Sequence, residues 1–418
     1  MKPGYKRTNL GVIPEEWDAL PARDIGTLKG GNGFPLTAQG EAYGAYPFYK
    51  VSDMNNEGND TFMTTANHYI SEPTRKRLSA LAFPTDTIVF AKVGAAIFLE
   101  RKKILGQPSC IDNNMAGFVL DKTKADVRYV HSLLLSKKLG DLVATTALPA
   151  LNGKQLGALS LAIPPLLEQR AIAQALSDVD ALIATLDRLI AKKRDIKQAT
   201  MQQLLTGKTR LPGFSGKWNV KALGELGTIS GGGVDKKIKP GEVKVRLVNY
   251  MDVYRRNLIR SVELEHVVSA PPDQASRCAV RKGDVFFTPS SEMPYDIAAS
   301  AVAAEDIPDA CYSYHVARLR LHEEWDIPFR AYAFKTQAFL DQAAKTCEGS
   351  GVRYVITQGK FRQLTLKYPA DRSEQAAIAT VLSDMDAGLT ALEARRDKTR
   401  ALKQGMMQEL LTGKTRLI

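Results

Sequence analysis

The feature that most constrains this chain is an internal duplication. The segment that begins at Glu168-Gln169 returns at Glu374-Gln375, an offset of 206 residues. The offset holds to the end of both copies, where LLTGKTRL at 204–211 recurs unchanged at 410–417. Self-similarity at a fixed interval is typical of repeated architectures, so we predict two copies of one structural plan.

The duplication extends to the parts that precede each repeated segment. WDALPARDIGTLKGG at 17–31 aligns with WNVKALGELGTISGG at 218–232, at an offset of 201 residues. Short β-rich runs follow in both halves, separated by Gly, Pro, Asn and Asp clusters, and each half has one helical stretch, at 127–146 and 329–347. We therefore predict an α+β fold: a mixed α/β domain at 1–163, a long helix at 164–210, a similar domain at 211–369 and a second long helix at 370–418.

Both predicted long helices carry an apolar seam. Its residues step by three or four positions, which places them on one helical face, with charged residues on the flanks. Such a seam needs a partner. The other copy is the favoured one, as in a coiled coil, and the alternative is that each helix packs only against its neighbouring domain. The seam residues are Ile172, Leu176, Val179, Ile183, Leu186 and Ile190 in the first copy, and Ile378, Leu382, Met385, Leu389 and Leu392 in the second.

Composition favours a polyanionic partner. The chain has 418 residues and a formal net charge of +12, with a pI near 9.3. Its four cysteines form no CxxC pair, so neither a disulfide framework nor a zinc site is expected. There is no apolar run behind the N-terminus and no stretch of membrane-spanning length, so we expect a cytoplasmic protein without a membrane partner.

The sequence contains no complete catalytic or nucleotide-binding motif. Gly207-Lys208-Thr209 resembles the end of a phosphate-binding loop, but it closes a predicted helix where that loop would open one. The Asn/Asp-Pro-Pro-Tyr/Phe tetrapeptide of amino-methyltransferases is absent, and the five histidines are scattered. We predict no catalytic residue, no cofactor-binding residue and no metal ligand in this chain.

Recognition of double-stranded DNA is the function that remains. Base edges are contacted by Arg, Lys, Asn, Gln, Asp, Glu, Ser and Thr, and phosphates by Lys, Arg and backbone amides. The loops that carry such residues differ between the two halves. This difference indicates two related recognition domains for different DNA sequences. Sequence drift in loops that have no function would produce the same difference. For each candidate the alternative is an ordinary solvated side chain. The candidates are Lys50, Ser52, Asp53, Lys92, Asn113, Asn114 and Lys154 in the first half, and Arg246, Asn249, Asp252, Ser290, Ser291, Tyr314, His315, Arg353 and Lys360 in the second.

These motifs together resemble a known family, the specificity (S) subunits of Type I restriction–modification systems. The resemblance covers essentially the whole chain. It depends on Ile13-Pro14 with Trp17, on the Gly30-Gly31 turn, and on the helix pattern Glu-Gln-x-x-Ile-Ala-x-x-Leu-Ser-x-x-Asp that leads to MQQLLTGK. The second helix departs from the pattern at its start, where Asp371-Arg372-Ser373 replaces a proline-led run.

The resemblance implies separate roles for this chain and for its partner subunits. Two target-recognition domains would each bind one half of a bipartite DNA site, and the two helices would form an antiparallel coiled coil, with pseudo-two-fold symmetry, that sets the gap. The chain would be non-catalytic. Two modification subunits would methylate adenine with S-adenosylmethionine, and restriction subunits would add ATP- and Mg-dependent translocation and cleavage.

Two other functions stay open at this stage. One is a protein-interaction scaffold that does not contact DNA, which a test of salt-dependent binding to random duplex would separate. The other is a self-contained DNA methyltransferase or nuclease, which an assay of the purified chain alone would settle.

Overall fold

The computed structural model describes residues 3–143 and 149–417. Packing divides the chain into two compact units, the first formed by Met1–Leu186 with Arg395–Ile418, and the second by Asp187–Ala394. Two helices of 39 residues contribute to both units, α5 at Leu166–Leu204 and α12 at Arg372–Leu410. The four predicted segments follow one another along the chain. In the folded structure, each domain packs with the start of one long helix and with the end of the other.

The first unit contains twelve strands and four short helices among its described residues, numbered here in chain order. The strands are β1 (Tyr5–Thr8), β2 (Gly11–Pro14), β3 (Asp18–Pro21), β4 (Gly26–Gly30), β5 (Tyr46–Tyr49), β6 (Phe62–Met63), β7 (Tyr69–Ile70), β8 (Ile88–Ala91), β9 (Lys102–Leu105), β10 (Cys110–Ile111), β11 (Met115–Leu120) and β12 (Ser160–Ile163). The helices are α1 (Ala22–Ile25), α2 (Glu72–Arg77), α3 (Val127–Leu135) and α4 (Gly153–Gly157).

The second unit repeats this plan with fourteen strands and six short helices. The strands are β13 (Trp218–Ala222), β14 (Gly227–Ser230), β15 (Val243–Val248), β16 (Leu258–Ile259), β17 (Val267–Ala270), β18 (Ala279–Val280), β19 (Val285–Phe287), β20 (Ser290–Ser291), β21 (Ser300–Ala303), β22 (Ile307–Tyr312), β23 (Ala317–Leu321), β24 (Glu348–Ser350), β25 (Arg353–Val355) and β26 (Thr365–Pro369). The helices are α6 (Leu223–Leu226), α7 (Tyr250–Arg255), α8 (Pro272–Cys278), α9 (Ile327–Ala333), α10 (Gln337–Thr346) and α11 (Gln358–Gln363).

A five-stranded mixed sheet is the frame of each unit. Its strand order is β4-β11-β8-β9-β6 in the first unit and β14-β23-β19-β21-β16 in the second. In both sheets the outermost short strand runs parallel to its neighbour and the other pairs are antiparallel. The same topology built from different side chains confirms the two similar mixed α/β domains that the duplication predicts.

Two predicted helices are shorter than the sequence suggests. The stretch at 329–347 forms two helices, because Thr336 leaves the helical conformation and its hydroxyl accepts a hydrogen bond from the backbone N–H of Phe339, 3.3 Å away, which caps a new helix. The stretch at 127–146 is helical only to Leu135, followed by a 3₁₀ turn at Leu139–Leu142, and its last three residues lie outside the described residues.

The long helices pair with each other inside each unit. In the first unit, Lys403 Nζ of α12 lies 2.7 Å from Asp180 Oδ1 of α5. In the second unit, Arg194 forms an ion pair with Glu393, and Lys197 forms one with Asp386. Residue numbers rise on one helix as they fall on the other, so the pairing is antiparallel.

The predicted seam residues pack both against the other long helix and against the neighbouring domain, the two alternatives that the sequence left open. Ile172 and Leu176 share one apolar core with the first domain and with Leu410 of the other long helix. Ile378 and Leu382 do the same in the second unit, beside Met201. Leu186 and Ile190 are also buried, and Val179, Ile183, Met385, Leu389 and Leu392 are half-buried.

A buried Trp–Glu–Arg cluster explains why the repeated motifs are alike. In the first unit, Glu168 Oε2 accepts hydrogen bonds from Trp17 Nε1 and Arg416 Nη2, each at 2.8 Å. The arginine comes from the LLTGKTRL segment that ends the other long helix. The cluster therefore fastens the domain, the start of α5 and the end of α12 together.

The second unit has the same cluster. Glu374 accepts a hydrogen bond from Arg210 Nη2 at 2.7 Å and one from Trp218 Nε1 at 3.4 Å. Both glutamates are almost fully buried. Gly207 precedes the arginine at φ +67°, a left-handed conformation that closes the helix, so GKT is a helix end, as the sequence indicated.

Candidate nucleic-acid interface

Polar side chains gather at one edge of the main sheet in the second unit. Strand β23 is antiparallel to both β14 and β19, so its first residue lies beside the last residues of those two strands. The loops that leave this edge carry Gly231-Gly232, Ser290-Ser291 and Tyr314-His315. Topology thus brings together residues that are more than 80 positions apart in sequence.

Two adjoining cavities form a groove along this edge, which we call the second-unit groove. Their volumes are about 500 Å³ and 430 Å³, and both are lined by Ser290, His315 and Arg353. Tyr314 lines the larger cavity and Ser291 the smaller. Five of the nine DNA-contact candidates predicted for this half therefore line one groove.

The groove presents aromatic rings and charges of both signs. The rings of Tyr314 and His315 have centroids 4.0 Å apart, and nearly half of the Tyr314 surface is exposed. Partial burial lowers the pKa of His315, and the charges of Lys236 and Arg353 lower it further, which favours the neutral ring. The carboxylate of Asp296 raises the pKa of Tyr254, another lining residue.

The other four candidates of the second half do not line the groove. Arg246 is held by an ion pair with Asp309 and by Ser261 O, 2.6 Å from its Nη1. Asp252 Oδ2 accepts a hydrogen bond from the backbone N–H of Asn249 at 2.8 Å, which caps α7. Lys360 forms an ion pair with Glu348. The structure thus gives Arg246, Asp252 and Lys360 internal partners.

The corresponding edge of the first unit, which we call the first-unit edge, is built from the end of β8 and the start of β11. The backbone N–H of Lys92 donates to Asn114 O at 2.8 Å. Asn113 is exposed, and Asn114 Nδ2 donates to Asp112 Oδ2 at 3.2 Å. Lys50 follows β5, whose last residue accepts the N–H of Asp112 at 2.9 Å. Lys50, Lys92, Asn113 and Asn114 therefore lie together.

The remaining candidates of the first half lie outside this group or have other partners. Asp53 is fully buried, and its carboxylate accepts hydrogen bonds from the N–H groups of Lys50 and Asn67 at 2.6 and 2.8 Å. This structural use leaves it no exposed surface for a base. Ser52 is exposed on the 3₁₀ turn Val51–Asn55, which also contains Asp53, and Lys154 is exposed on α4.

Sequence reasoning found Tyr314 and His315 in the second-unit groove but missed its other aromatic residues. Tyr250 and Tyr254 line it with ring centroids 5.9 Å apart, and Met293 is exposed beside them. Two tyrosines four positions apart directly after a β-rich run are the signal that was available, because that spacing places both rings on one helical face.

Residues 3–143 and 149–417 contain no group of three or more His, Cys, Asp or Glu side chains placed to hold a metal ion. Among the helices of these residues, none combines the length and apolar character needed to cross a lipid bilayer.

The two halves of this chain match one protein family. A family model described as the Type I restriction modification DNA specificity domain matches residues 14–192 and again 215–400. The matches cover most of both units, and their repetition follows the internal duplication. The chain belongs to this family of Type I restriction–modification specificity proteins.

Relatives with related names agree with this assignment. The Type I restriction enzyme MjaVIII specificity subunit of Methanocaldococcus jannaschii is 24% identical over 215 residues, covering 50% of this chain and 49% of the relative. The putative type I restriction enzyme MjaX specificity subunit of the same organism is 27% identical over 212 residues, 48% of each chain. The chain spans about half the length of these curated relatives.

Solved structures show the same fold. The Type I S subunit from M. genitalium superposes with a TM-score of 0.54 at 14% identity, covering 98% of this chain and 99% of that one. A chain from a study of complex assembly and conformational transition of the type I R-M system has a TM-score of 0.61 at 14% identity, covering 96% and 99%.

Proposed function

We propose that this chain is the DNA-specificity subunit of a Type I restriction–modification complex, in which each unit contacts one half of a bipartite site. One observation carries the proposal: the two units share sheet topology and the Trp–Glu–Arg cluster, yet they present unlike side chains at the same sheet edge. A framework kept constant beneath a variable edge suits two recognition modules with different targets.

The chemistry of the two edges suits base recognition. An exposed asparagine such as Asn113 can donate to and accept from adenine in the major groove, and nearby Lys50 and Lys92 can hold phosphates. The second-unit groove offers hydroxyls, rings and a guanidinium instead. The two half-sites should therefore differ in sequence, and the net charge of +12 supplies attraction to any duplex.

The long helices are the proposed docking sites for two modification subunits. A cavity beside α5 is lined by Ser177 and Asp180, and a cavity beside α12 is lined by the equivalent Ser383 and Asp386. A surface that binds the same partner twice should be repeated, as these cavities are. S-adenosylmethionine, ATP and Mg would act on the modification and restriction subunits, and this chain would supply no catalytic group.

Paired point substitutions test whether each unit reads its own half-site. Changing Asn113 and Asn114 together to Ala should alter the first half-site only, since these residues lie at the first-unit edge. Changing Ser290 and Ser291 together to Ala is the reciprocal control and should alter the second half-site only. Methylated positions are mapped by sequencing after assembly with modification subunits.

The outcomes separate recognition from simple attraction. Variants that lower methylation equally at all sites, with a shallower dependence of binding on salt, would show phosphate contact and contradict base reading. A purified chain that shows no salt-dependent binding to random duplex DNA would favour the scaffold function. Methyl transfer by the chain alone would favour a self-contained enzyme.

A further inference from the structure

We infer that the β24–β25 hairpin is a DNA-reading ribbon and that Arg353 on it contacts a guanine of the second half-site in the major groove. This inference rests on the proposed function and specifies which element and which base are involved. By residue type alone, Arg353 is one of nine candidate DNA contacts in the second half.

The hairpin projects beyond the sheet that supports it. Strand β25 pairs with β20 through Val355 and Tyr354, so Arg353 extends past the end of β20. Ser350 pairs with Arg353 across a two-residue turn formed by Gly351 and Val352. The tip, from Ser350 to Arg353, therefore extends beyond the third strand of this small sheet, and a two-stranded β-ribbon fits the major groove of B-form DNA.

Two glycines shape the ribbon. Gly349 has φ +135°, and a Cβ there would lie 2.1 Å from Arg353 O, so no larger residue fits. Gly351 has φ +67° in the turn, a conformation that favours glycine. The apolar side chain of Val352, at the tip, is 84% exposed and belongs to no hydrophobic core of the described residues. The backbone conformation therefore places Arg353 where it can contact another molecule.

Arg353 differs from several other arginines of the second unit in its lack of an ion-pair partner among the described residues. Arg246, Arg256 and Arg320 each form an ion pair within the second unit. Arg353 is exposed and forms no ion pair within the described part of the chain. It lines both cavities of the second-unit groove, and it is the one Lys or Arg side chain of the described residues that does so.

The charges around Arg353 favour a base over a phosphate. Glu292 and Asp296 line the smaller cavity together with Arg353, and two carboxylates would repel a phosphate. A G·C pair displays two acceptors on guanine, which a guanidinium can bind through two hydrogen bonds, and a donor on cytosine, which a carboxylate accepts. The groove thus presents the complement of a G·C pair.

The test uses the full chain assembled with modification subunits. Methylated sites are mapped for the wild type and for Arg353→Ala, Arg353→Lys and Arg281→Ala. Arg281 is the matched control, because it is equally exposed but precedes β19, at the end of that strand opposite to the groove. Thermal unfolding of each variant confirms that it folds.

The expected result is loss of discrimination at one G·C position of the second half-site. Arg353→Ala should reduce preference for that base about 5- to 150-fold, Arg353→Lys should reduce it less, and Arg281→Ala should leave it unchanged. Replacing that guanine by 7-deazaguanine should weaken binding of the wild type but not of Arg353→Ala.

Other outcomes overturn the inference in distinguishable ways. An unchanged motif, or equal weakening at all sites, would refute guanine contact by Arg353 while a bipartite wild-type motif would still support the proposed function. A change in the first half-site would refute it as well. A wild-type complex without any bipartite motif would refute both.

Discussion

At the scale of single residues, the buried glutamates have the clearest physical role. Glu168 and Glu374 each join an indole N–H and a guanidinium away from water, where a charge is stable only if it is paired. The adjacent Gln169 and Gln375 accept the backbone N–H groups that start α3 and α9, at 2.7 and 2.9 Å. The repeated Glu-Gln dipeptide is therefore explained by attachment of the domain to the long helix.

Removing one glutamate should be costly. Glu374→Ala leaves Arg210 and the Trp218 N–H without their buried acceptor, and we expect the second unit to lose about 2–4 kcal/mol of unfolding free energy. Glu393→Ala is the matched control, because its ion pair with Arg194 is partly exposed and should contribute less than about 1 kcal/mol. Urea unfolding measures both, and equal losses would contradict the structural role of the cluster.

A buried histidine predicts a dependence of stability on pH. His131 Nε2 lies 2.9 Å from Lys102 O, so the neutral ring donates there. Burial lowers the pKa of His131, and the charges of Lys403 and Lys103 lower it further, although the Lys102 carbonyl and Asp180 oppose this. As the pH falls below about 6.5, the unfolded chain binds a proton first, so stability decreases.

The comparison of His131→Gln with the wild type isolates this effect. Glutamine keeps a donor for Lys102 O but does not titrate, so its free energy of unfolding should fall less than that of the wild type between pH 7 and pH 5. His322→Gln, at an exposed position, should follow the wild type. Parallel curves for wild type and His131→Gln would show that His131 is not the responsible group.

At the scale of elements, the sequence predicted repeated parts better than unique ones. The long helices were visible because their apolar steps extend over many turns, and the domains because Trp17 and Gly30-Gly31 recur. The break at Thr336 was missed, since one capping hydroxyl decides it and the surrounding residues favour helix. The groove was found only in part, because sheet topology, which joins Ser290 to His315, is not local information.

The proposed role of α5 and α12 as a spacer can be tested by lengthening both. Inserting seven residues after Arg188 and after Ala394 adds two turns to each helix and keeps the period of the apolar seam. The added length is about 10 Å at 1.5 Å per residue, so the gap between half-sites should grow by about three base pairs.

The half-sites themselves should not change, since each sheet edge stays intact. Insertion into α5 alone is the control, because it shifts the register of the helix pair and should abolish methylation. Mapping of methylated sites provides the measurement. An unchanged gap with full activity would show that the helices do not set the spacing.

At the scale of the whole molecule, a constant frame carries two different sheet edges. Membership of the specificity family and the repeated helix contacts explain why the halves resemble each other where they pack. The first-unit edge and the second-unit groove explain where they differ. A molecule with two unlike recognition edges should specify two unlike sequences.

Mapping of methylated adenines across a genome, in cells that contain the chain together with the proposed modification subunits, is the direct test. The account predicts one motif made of two different short sequences separated by a gap of constant length and free composition. A single continuous motif, or methylation without sequence preference, would contradict it.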